Sequence, residues 1–316
     1  MSLYRLCKSS RSHRRCPRSD ECWGCKLMKF NSYYEPETIE ECLTILAEQG
    51  SDAKMLAGGT DLVIRLRSRV LKPKTVVSLN AIPELSEVTL KEDGLYIGAM
   101  ARLMDVSKSE QLTGAWKIVK TGAGNVSSMQ VRNIATLGGN TCNASPSADT
   151  VPGLVVSGAI ANIVGKNGER SVLLEDFFTG PGKTVLADDE MLVSFKLPKY
   201  ADKTGAVYKK YSIRGDTDIA IIGVAGKITL NAQGEVVDVK IALGGVAPTV
   251  IRVPKAEALL TGKKLTDQLI EEAAVIASES CTPITDARAT KEYRTEMVRV
   301  WVRHVLTDAA QEAQKN

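Results

Sequence analysis

Leu56-Ala57-Gly58-Gly59-Thr60-Asp61-Leu62 overlaps the end of an apolar run, Ala53-Lys54-Met55-Leu56-Ala57. It leads through mixed basic and apolar residues to a second run, Thr75-Val76-Val77-Ser78-Leu79. The simplest reading is strand, glycine-rich turn, helix, strand. Two adjacent glycines let the backbone turn sharply and bring N–H groups close to an anion. Thr60 adds a hydroxyl donor, and Asp61 is placed to cap the following helix, whose N-terminus favours phosphate. A plain strand-to-helix turn accounts for the same residues. The pattern is neither the dinucleotide GxGxxG nor a Walker loop, because no Lys-Ser or Lys-Thr pair follows the glycines.

A second glycine pair lies in Arg132-Asn133-Ile134-Ala135-Thr136-Leu137-Gly138-Gly139-Asn140, continuing through Asn143-Ala144-Ser145-Pro146-Ser147-Ala148-Asp149. Hydroxyl, amide and carboxylate groups surround it, a set suited to the ribityl hydroxyls and phosphates of a dinucleotide. Read without function it is a long polar loop, and loops that long and rich in small residues are uncommon without one. Two such loops far apart in sequence are expected to line one site.

The 316 residues are too many for one small core and point to two domains or three small lobes. Hydrophobic residues at 44% and charged residues at 25% exclude a mainly disordered chain. No apolar run reaches the length of a transmembrane helix. Aromatics at 5% against 25 glycines favour loops that bind through backbone over base-stacking platforms. Residues 1–30 hold eight Lys/Arg and two acidic residues, whereas the remaining 286 hold 33 and 35. The basicity is therefore confined to the N-terminus, and the body makes no case for nucleic acid.

Outward from the glycine loops, Thr38–Gly50 reads as a helix on Ile39, Leu43 and Leu46, with Gly50 as its stop. Leu95–Ala99 alternates as a strand, and Leu103–Thr113 looks helical. Ala159–Val164 and Ser171–Leu174 form a hairpin about Asn167-Gly168, and Met191–Leu197 is a strand ended by Pro198. Ile219–Leu230 and Val236–Leu243 read as antiparallel strands. Asp267–Ser280 and Lys291–Gln314 read as amphipathic helices, and a domain boundary falls between 198 and 206.

Ala57-Gly58-Gly59-Thr60-Asp61 and Thr136-Leu137-Gly138-Gly139-Asn140 together resemble the FAD subunits of the molybdenum hydroxylases, the family of bacterial xanthine dehydrogenase flavin subunits and carbon monoxide dehydrogenase medium subunits. Phe178-Thr179-Gly180-Pro181-Gly182, Asp189-Glu190-Met191-Leu192-Val193, Arg214 through Asp218-Ile219-Ala220, and Ala289-Thr290-Lys291-Glu292-Tyr293-Arg294 extend the likeness over roughly residues 28–310. The resemblance implies an α+β fold: a two-lobed FAD-binding domain of the PCMH type at 28–200, with lobes at about 28–88 and 89–200. A C-terminal α+β domain with an antiparallel sheet and helices would follow at 204–316. It also implies site residues. Met55, Leu56, Ala57, Gly58, Gly59, Thr60, Asp61 and Leu62 would hold the pyrophosphate, and Thr136, Gly139 and Asn140 would form the second phosphate-side loop. Asp149 would accept from the ribityl chain, Leu192 would pack beside the flavin, and Lys210 would be the lysine near it. Lys209 takes that place if the register slips by one, and either lysine is otherwise a solvated charge.

The resemblance further implies electron transfer from iron–sulfur centres through FAD to NAD, most readily in xanthine or purine oxidation. Carbon monoxide, aldehyde, nicotinate or aryl-CoA enzymes are the alternatives. The partners would be a molybdopterin-binding large subunit and a small [2Fe–2S] subunit, as a cytoplasmic dimer of heterotrimers, with neither nucleic acid nor membrane. No Ser-His-Asp or Cys-His arrangement is visible; His304 lies in the helix expected over Lys291–Gln314 and reads as a structural residue, and His13 lies in the basic tail.

Residues 1–27 depart from the family as a basic, Cys-rich N-terminal extension. Cys7, Cys16, Cys22 and Cys25 are spaced C-x8-C-x5-C-x2-C, and four thiolates so close chelate a [4Fe–4S] cluster, or zinc as the alternative, or nothing. In a reducing cytoplasm such a cluster reads as metal ligands more than disulfides. The Arg and Ser content before residue 20 also fits an organelle leader, which has no use for four cysteines. A distant alternative is a metal-tail protein that binds nucleic acid through this segment. Cys42, Cys142 and Cys281 read as free thiols.

Overall fold

The computed structural model describes residues 30–215 and 217–316. The tail cysteines Cys7, Cys16, Cys22 and Cys25 lie outside the described residues.

The first lobe is built from β1 (Ser32–Tyr34), α1 (Ile39–Gln49), β2 (Ala53–Leu56), α2 (Leu62–Arg67) and β3 (Thr75–Ser78). Its three strands are parallel in the order β1-β3-β2, so helical crossovers are required between them. Thr38 opens α1 by accepting the Glu41 N–H at 3.1 Å, and Gly50 closes it at φ +52°. All four residues of β3 are buried because the sheet is covered on both faces. Val77 packs with Cys42, Leu46 and Ala53, and Val76 packs with Phe30, Leu56 and Leu66.

The second lobe contains β4 (Val88–Lys91), β5 (Gly94–Gly98), α3 (Leu103–Lys108), α4 (Lys117–Gly124), α5 (Met129–Arg132), α6 (Leu137–Cys142), α7 (Val151–Val156), β6 (Ile160–Gly165), β7 (Gly168–Leu173), β8 (Phe178–Gly180), β9 (Lys183–Thr184) and β10 (Glu190–Pro198). Its five-stranded antiparallel sheet has the order β4-β5-β10-β6-β7. Successive side chains of β10 serve two cores: Met191 is buried in the first lobe's and Leu192 in the second's.

Three sequence expectations are corrected here. The β6–β7 turn is Lys166-Asn167, because Gly165 pairs with Gly168. The helix expected to reach Thr113 stops at Lys108, where Ser109 turns extended and its hydroxyl accepts the Gln111 N–H at 3.3 Å. The passage read as a polar loop contains α6, and α7 follows it directly. The Thr136 hydroxyl caps α6, and α7 is fully buried, so packing stabilises a helix that its small residues disguise.

The third unit has β11 (Thr204–Tyr211), β12 (Ile222–Leu230), β13 (Val236–Gly244), β14 (Ile251–Arg252), α8 (Pro254–Leu260), α9 (Asp267–Glu279) and α10 (Lys291–Lys315). The four strands form one antiparallel sheet in chain order. Helix α10 lies against it through Val298, Val302, Val305, Leu306, Ala309 and Ala313. It approaches so closely that a Cβ on Gly205 would stand 2.1 Å from the Ala309 carbonyl oxygen. From the same sheet, Ala206, Tyr208, Ala225 and Ala242 belong to the second lobe's core, so one apolar core crosses the boundary. Strands β11 and β14 and helix α8 add to the elements read from sequence.

Candidate functional site

Both glycine loops meet. Gly58 lies at the carboxyl end of β2, the edge of a parallel sheet where ligands generally bind. A Cβ on Gly58 would stand 2.0 Å from the Ile134 carbonyl oxygen and 2.9 Å from the Ala135 Cα. Only glycine permits this contact of main chain with main chain. Gly59 then turns at φ +74°. Among the described residues, no protein acceptor takes the N–H groups of Gly58, Gly59, Thr60 and Asp61. Met55, Ala57 and Leu62 are half-buried beside them, and Leu56 is buried. Asp61 occupies the cap position of α2 but makes no side-chain cap bond, contrary to the role read for it, because the Gly59 carbonyl already takes the Val63 N–H and starts the turn.

The second loop is built differently. Its first helical N–H groups are spent inside the protein: Leu137 donates to the Ala101 carbonyl, Gly138 to the Ala99 carbonyl, and Gly139 to the Thr136 hydroxyl at 3.0 Å. Gly138 fits so tightly that a Cβ would lie 2.7 Å from the Ala99 oxygen. The loop therefore contributes shape and side chains more than backbone donors. Asn140 accepts the Thr150 hydroxyl at 2.6 Å through Oδ1, which fixes the amide and turns its Nδ2 into the available donor. The neighbouring Thr141 hydroxyl is buried with no protein partner.

Asp149 is the electrostatic centre of this region. Tyr208 donates to its Oδ1 at 2.8 Å, and Lys210 Nζ donates to its Oδ2 at 2.9 Å and to the Asn125 carbonyl at 3.0 Å. Both charges are almost fully buried. Burial pushes the Asp149 carboxyl above its ordinary value, and the lysine and the tyrosine pull against it. The Tyr208 hydroxyl is raised well above its own, first by burial and then by the adjacent carboxylate. Strand alternation puts the two candidate lysines on opposite faces: Lys210 points inward, and Lys209 faces Asp308 at 3.2 Å on the exposed side. Tyr208 and Asn125 are partners that sequence reasoning missed; Tyr208, two residues before Lys210 on one strand face, was recoverable. Leu192 is 5% exposed and belongs to the second lobe's core, which also holds Leu137 and Ala135.

Two of the other sequence motifs reach the same loop. Gly182 donates to the Ala144 carbonyl at 3.0 Å, and Gly245 donates to the Pro146 carbonyl at 2.7 Å. Arg294, buried in α10, donates to the Ile221 and Gly245 carbonyls and to Asp286. The C-terminal motif thus reaches the 143–149 loop through a single intermediate residue.

Residues 28–200, more than half of the chain, match the family model described as the FAD binding domain in molybdopterin dehydrogenase. The chain belongs to the FAD-binding subunits of the molybdenum hydroxylases. Residues 206–309 of this flavin subunit match the CO dehydrogenase flavoprotein C-terminal domain. It is 32% identical over 285 residues to the xanthine dehydrogenase FAD-binding subunit of Escherichia coli O157:H7, covering 90% of this chain and 97% of that one. It is 33% identical to the glyceraldehyde dehydrogenase medium chain of Sulfolobus acidocaldarius, covering 88% and 98%. The carbon monoxide dehydrogenase of Hydrogenophaga pseudoflava aligns in structure with a TM-score of 0.85 at 32% identity, covering 89% and 97%. The flavin subunit is accordingly part of an oxidoreductase.

The donor set of the first loop suits FAD on physical grounds. A diphosphate needs several N–H donors and close backbone approach; Gly58 to Asp61 leave four N–H groups unspent, and Gly58 permits the approach. Among the described residues, no cluster of His, Cys, Asp and Glu is arranged to hold a metal, and no helix is long and apolar enough to cross a membrane.

Proposed function

We propose that this chain carries FAD between its glycine loops and relays electrons within a molybdenum hydroxylase complex, from iron–sulfur centres to NAD. The observation that carries the reading is the contact of Gly58 with the Ile134 carbonyl, which joins the loops into one cradle with unspent N–H groups. Bound there, FAD supplies the ability to accept electrons singly and release them as a hydride. The chain's own residues bind and orient. The N–H groups of Gly58 to Asp61 hold the diphosphate, and Asn140 Nδ2 donates to the phosphate or ribityl side. Asp149 keeps lone pairs for a ribityl hydroxyl while Tyr208 and Lys210 fix its orientation. Lys210, its charge tied to Asp149, sets the potential on that side of the cradle.

The large molybdopterin-binding and small [2Fe–2S] subunits complete the enzyme, as a cytoplasmic dimer of heterotrimers. A purine is the proposed substrate class, supported by the 32% identity to a xanthine dehydrogenase flavin subunit. The second reading is an aldehyde or carbon monoxide enzyme, supported by likenesses of the same strength. The four tail cysteines are proposed to hold a [4Fe–4S] cluster, with zinc as the alternative.

The test is to purify the complex through this chain, record its spectrum and identify the flavin released on denaturation. Xanthine-, aldehyde- and carbon-monoxide-driven NAD reduction are then compared. FAD at one equivalent per chain with xanthine-driven reduction is expected. A colourless complex overturns the flavin assignment, and reduction by an aldehyde or carbon monoxide alone overturns the purine assignment.

A further inference from the structure

Helix α2 and the turn after it carry a charge pattern that the flavin reading does not use. Residues 62–74 contain Arg65, Arg67, Arg69, Lys72 and Lys74 and no carboxylate. Lys74 pairs with Asp52 at 2.7 Å. The other four are exposed, and among the described residues none has a carboxylate partner. Between them Ile64 and Val70 stand in solvent at 63% and 68% exposure.

The turn itself is unusual. Val70 N–H bonds to the Arg65 carbonyl and Arg69 N–H to the Leu66 carbonyl, the double bond pattern of a Schellman helix end. The left-handed position of that motif favours glycine, yet Arg69 occupies it at φ +60°. The residue after it ordinarily packs its apolar side chain back on the helix, yet Val70 does not. The backbone tolerates strain to present a guanidinium, and an apolar side chain is left uncovered beside it.

We infer that this face, Ile64, Arg65, Arg67, Arg69, Val70 and Lys72, is a docking surface for a folded protein partner that presents clustered carboxylates around an apolar centre. Arginine framing exposed apolar side chains is the composition of a protein interface. Charge fixes the partner's sign. A segment as basic as residues 1–30, with eight basic and two acidic side chains, has the wrong sign to complement this face. Nucleic acid is disfavoured because a phosphate backbone offers no apolar surface to cover the exposed Ile64 and Val70. The patch begins at Ile64, three residues after the free N–H groups at Gly58 to Asp61, so the partner sits next to the cradle. The inference rests on the proposed function only in requiring that the chain works within a complex.

The test uses the complex purified through this chain. A zero-length carbodiimide cross-linker joins the Lys72 amine to any carboxylate in contact, and mass spectrometry locates the linked residue. A cross-link from Lys72 to an Asp or Glu of a stoichiometric partner is expected. Arg65→Glu/Arg67→Glu/Lys72→Glu should weaken retention of that partner in a salt wash by about tenfold or more. Arg69→Gly, which relieves the backbone, should raise this chain's own resistance to denaturant while weakening retention about threefold, so loss of folding cannot account for the result. Unchanged retention in both variants with no Lys72 cross-link overturns the inference. So does loss of binding to phosphatidylserine vesicles or a DNA duplex with partner retention intact. Flavin content is read on the same samples: a complex without FAD sinks the flavin reading and leaves the cross-link result standing.

Discussion

Lys210 on β11 of the C-terminal domain donates to Asp149 of the flavin domain at 2.9 Å, with both charges out of water. This buried pair spans the boundary between the two domains. Removing one partner strands the other, so Lys210→Met should destabilise the protein by roughly 3 kcal/mol, and Asp149→Asn/Lys210→Met should recover part of the loss. Urea unfolding of both variants measures it. Asp149 also has a pH signature. Its folded carboxyl is raised, so it keeps its proton where the unfolded chain has lost its own. Its contribution therefore declines as pH rises from the ordinary carboxylate value through the raised one. Asp149→Asn should abolish that decline; an unchanged pH profile would remove this account.

Three glycine variants separate cradle from strain. Gly58→Ala drives a Cβ into the Ile134 carbonyl, so the loops must part, with a loss of about 1–3 kcal/mol and most of the bound flavin. Gly139→Val crowds Thr136 and Ala57 and should act the same way. Gly50→Ala meets nothing within 4 Å and bears only the backbone strain of φ +52°, ψ −134°, about 1–3 kcal/mol, with flavin unchanged. Flavin-to-protein absorbance ratios rank the variants; equal ratios for Gly58→Ala and Gly50→Ala would contradict the cradle.

Asp286 accepts from the Arg288 and Ala289 N–H groups and from the Arg288 and Arg294 guanidinium groups. Those donors hold its carboxyl down to about 2. A depressed folded value contributes stability that is present above the unfolded value near 3.8 and is lost as pH falls toward about 2. Asp286→Asn should cost about 2 kcal/mol at neutral pH and flatten the acid limb over that window. Thermal melts across the range provide the check.

Burial pushes the thiols of Cys42, Cys142 and Cys281 up to about 12. Cys142 is half-buried as a residue, with its side chain packed against the second lobe's core. At pH 8 only about one thiol in ten thousand is ionised, so none of the three should react with iodoacetamide in the native protein, and all should in guanidinium. Rapid native labelling of Cys142 would mean that its loop opens.

Much of this was legible from residues alone. Thr38 and Gly50 bounded α1 because capping is local chemistry, and both glycine pairs marked close approach. Helices α6 and α7 were not legible, because α6 packs against β10 and α7 against β12 and β13, strands that arrive later in the chain. That the second loop spends its N–H groups on Ala99 and Ala101 is likewise a tertiary fact. Lys210 was separated from Lys209 only once β11 was known to be a strand.

Met191 and Leu192, neighbours on β10, are rooted in different lobes. A hinge between the lobes would have to tear one strand along its length. Any prosthetic group held between them must therefore enter while the chain is still folding, or through loosening of the loops at the rim, and its release should be as slow as those fluctuations.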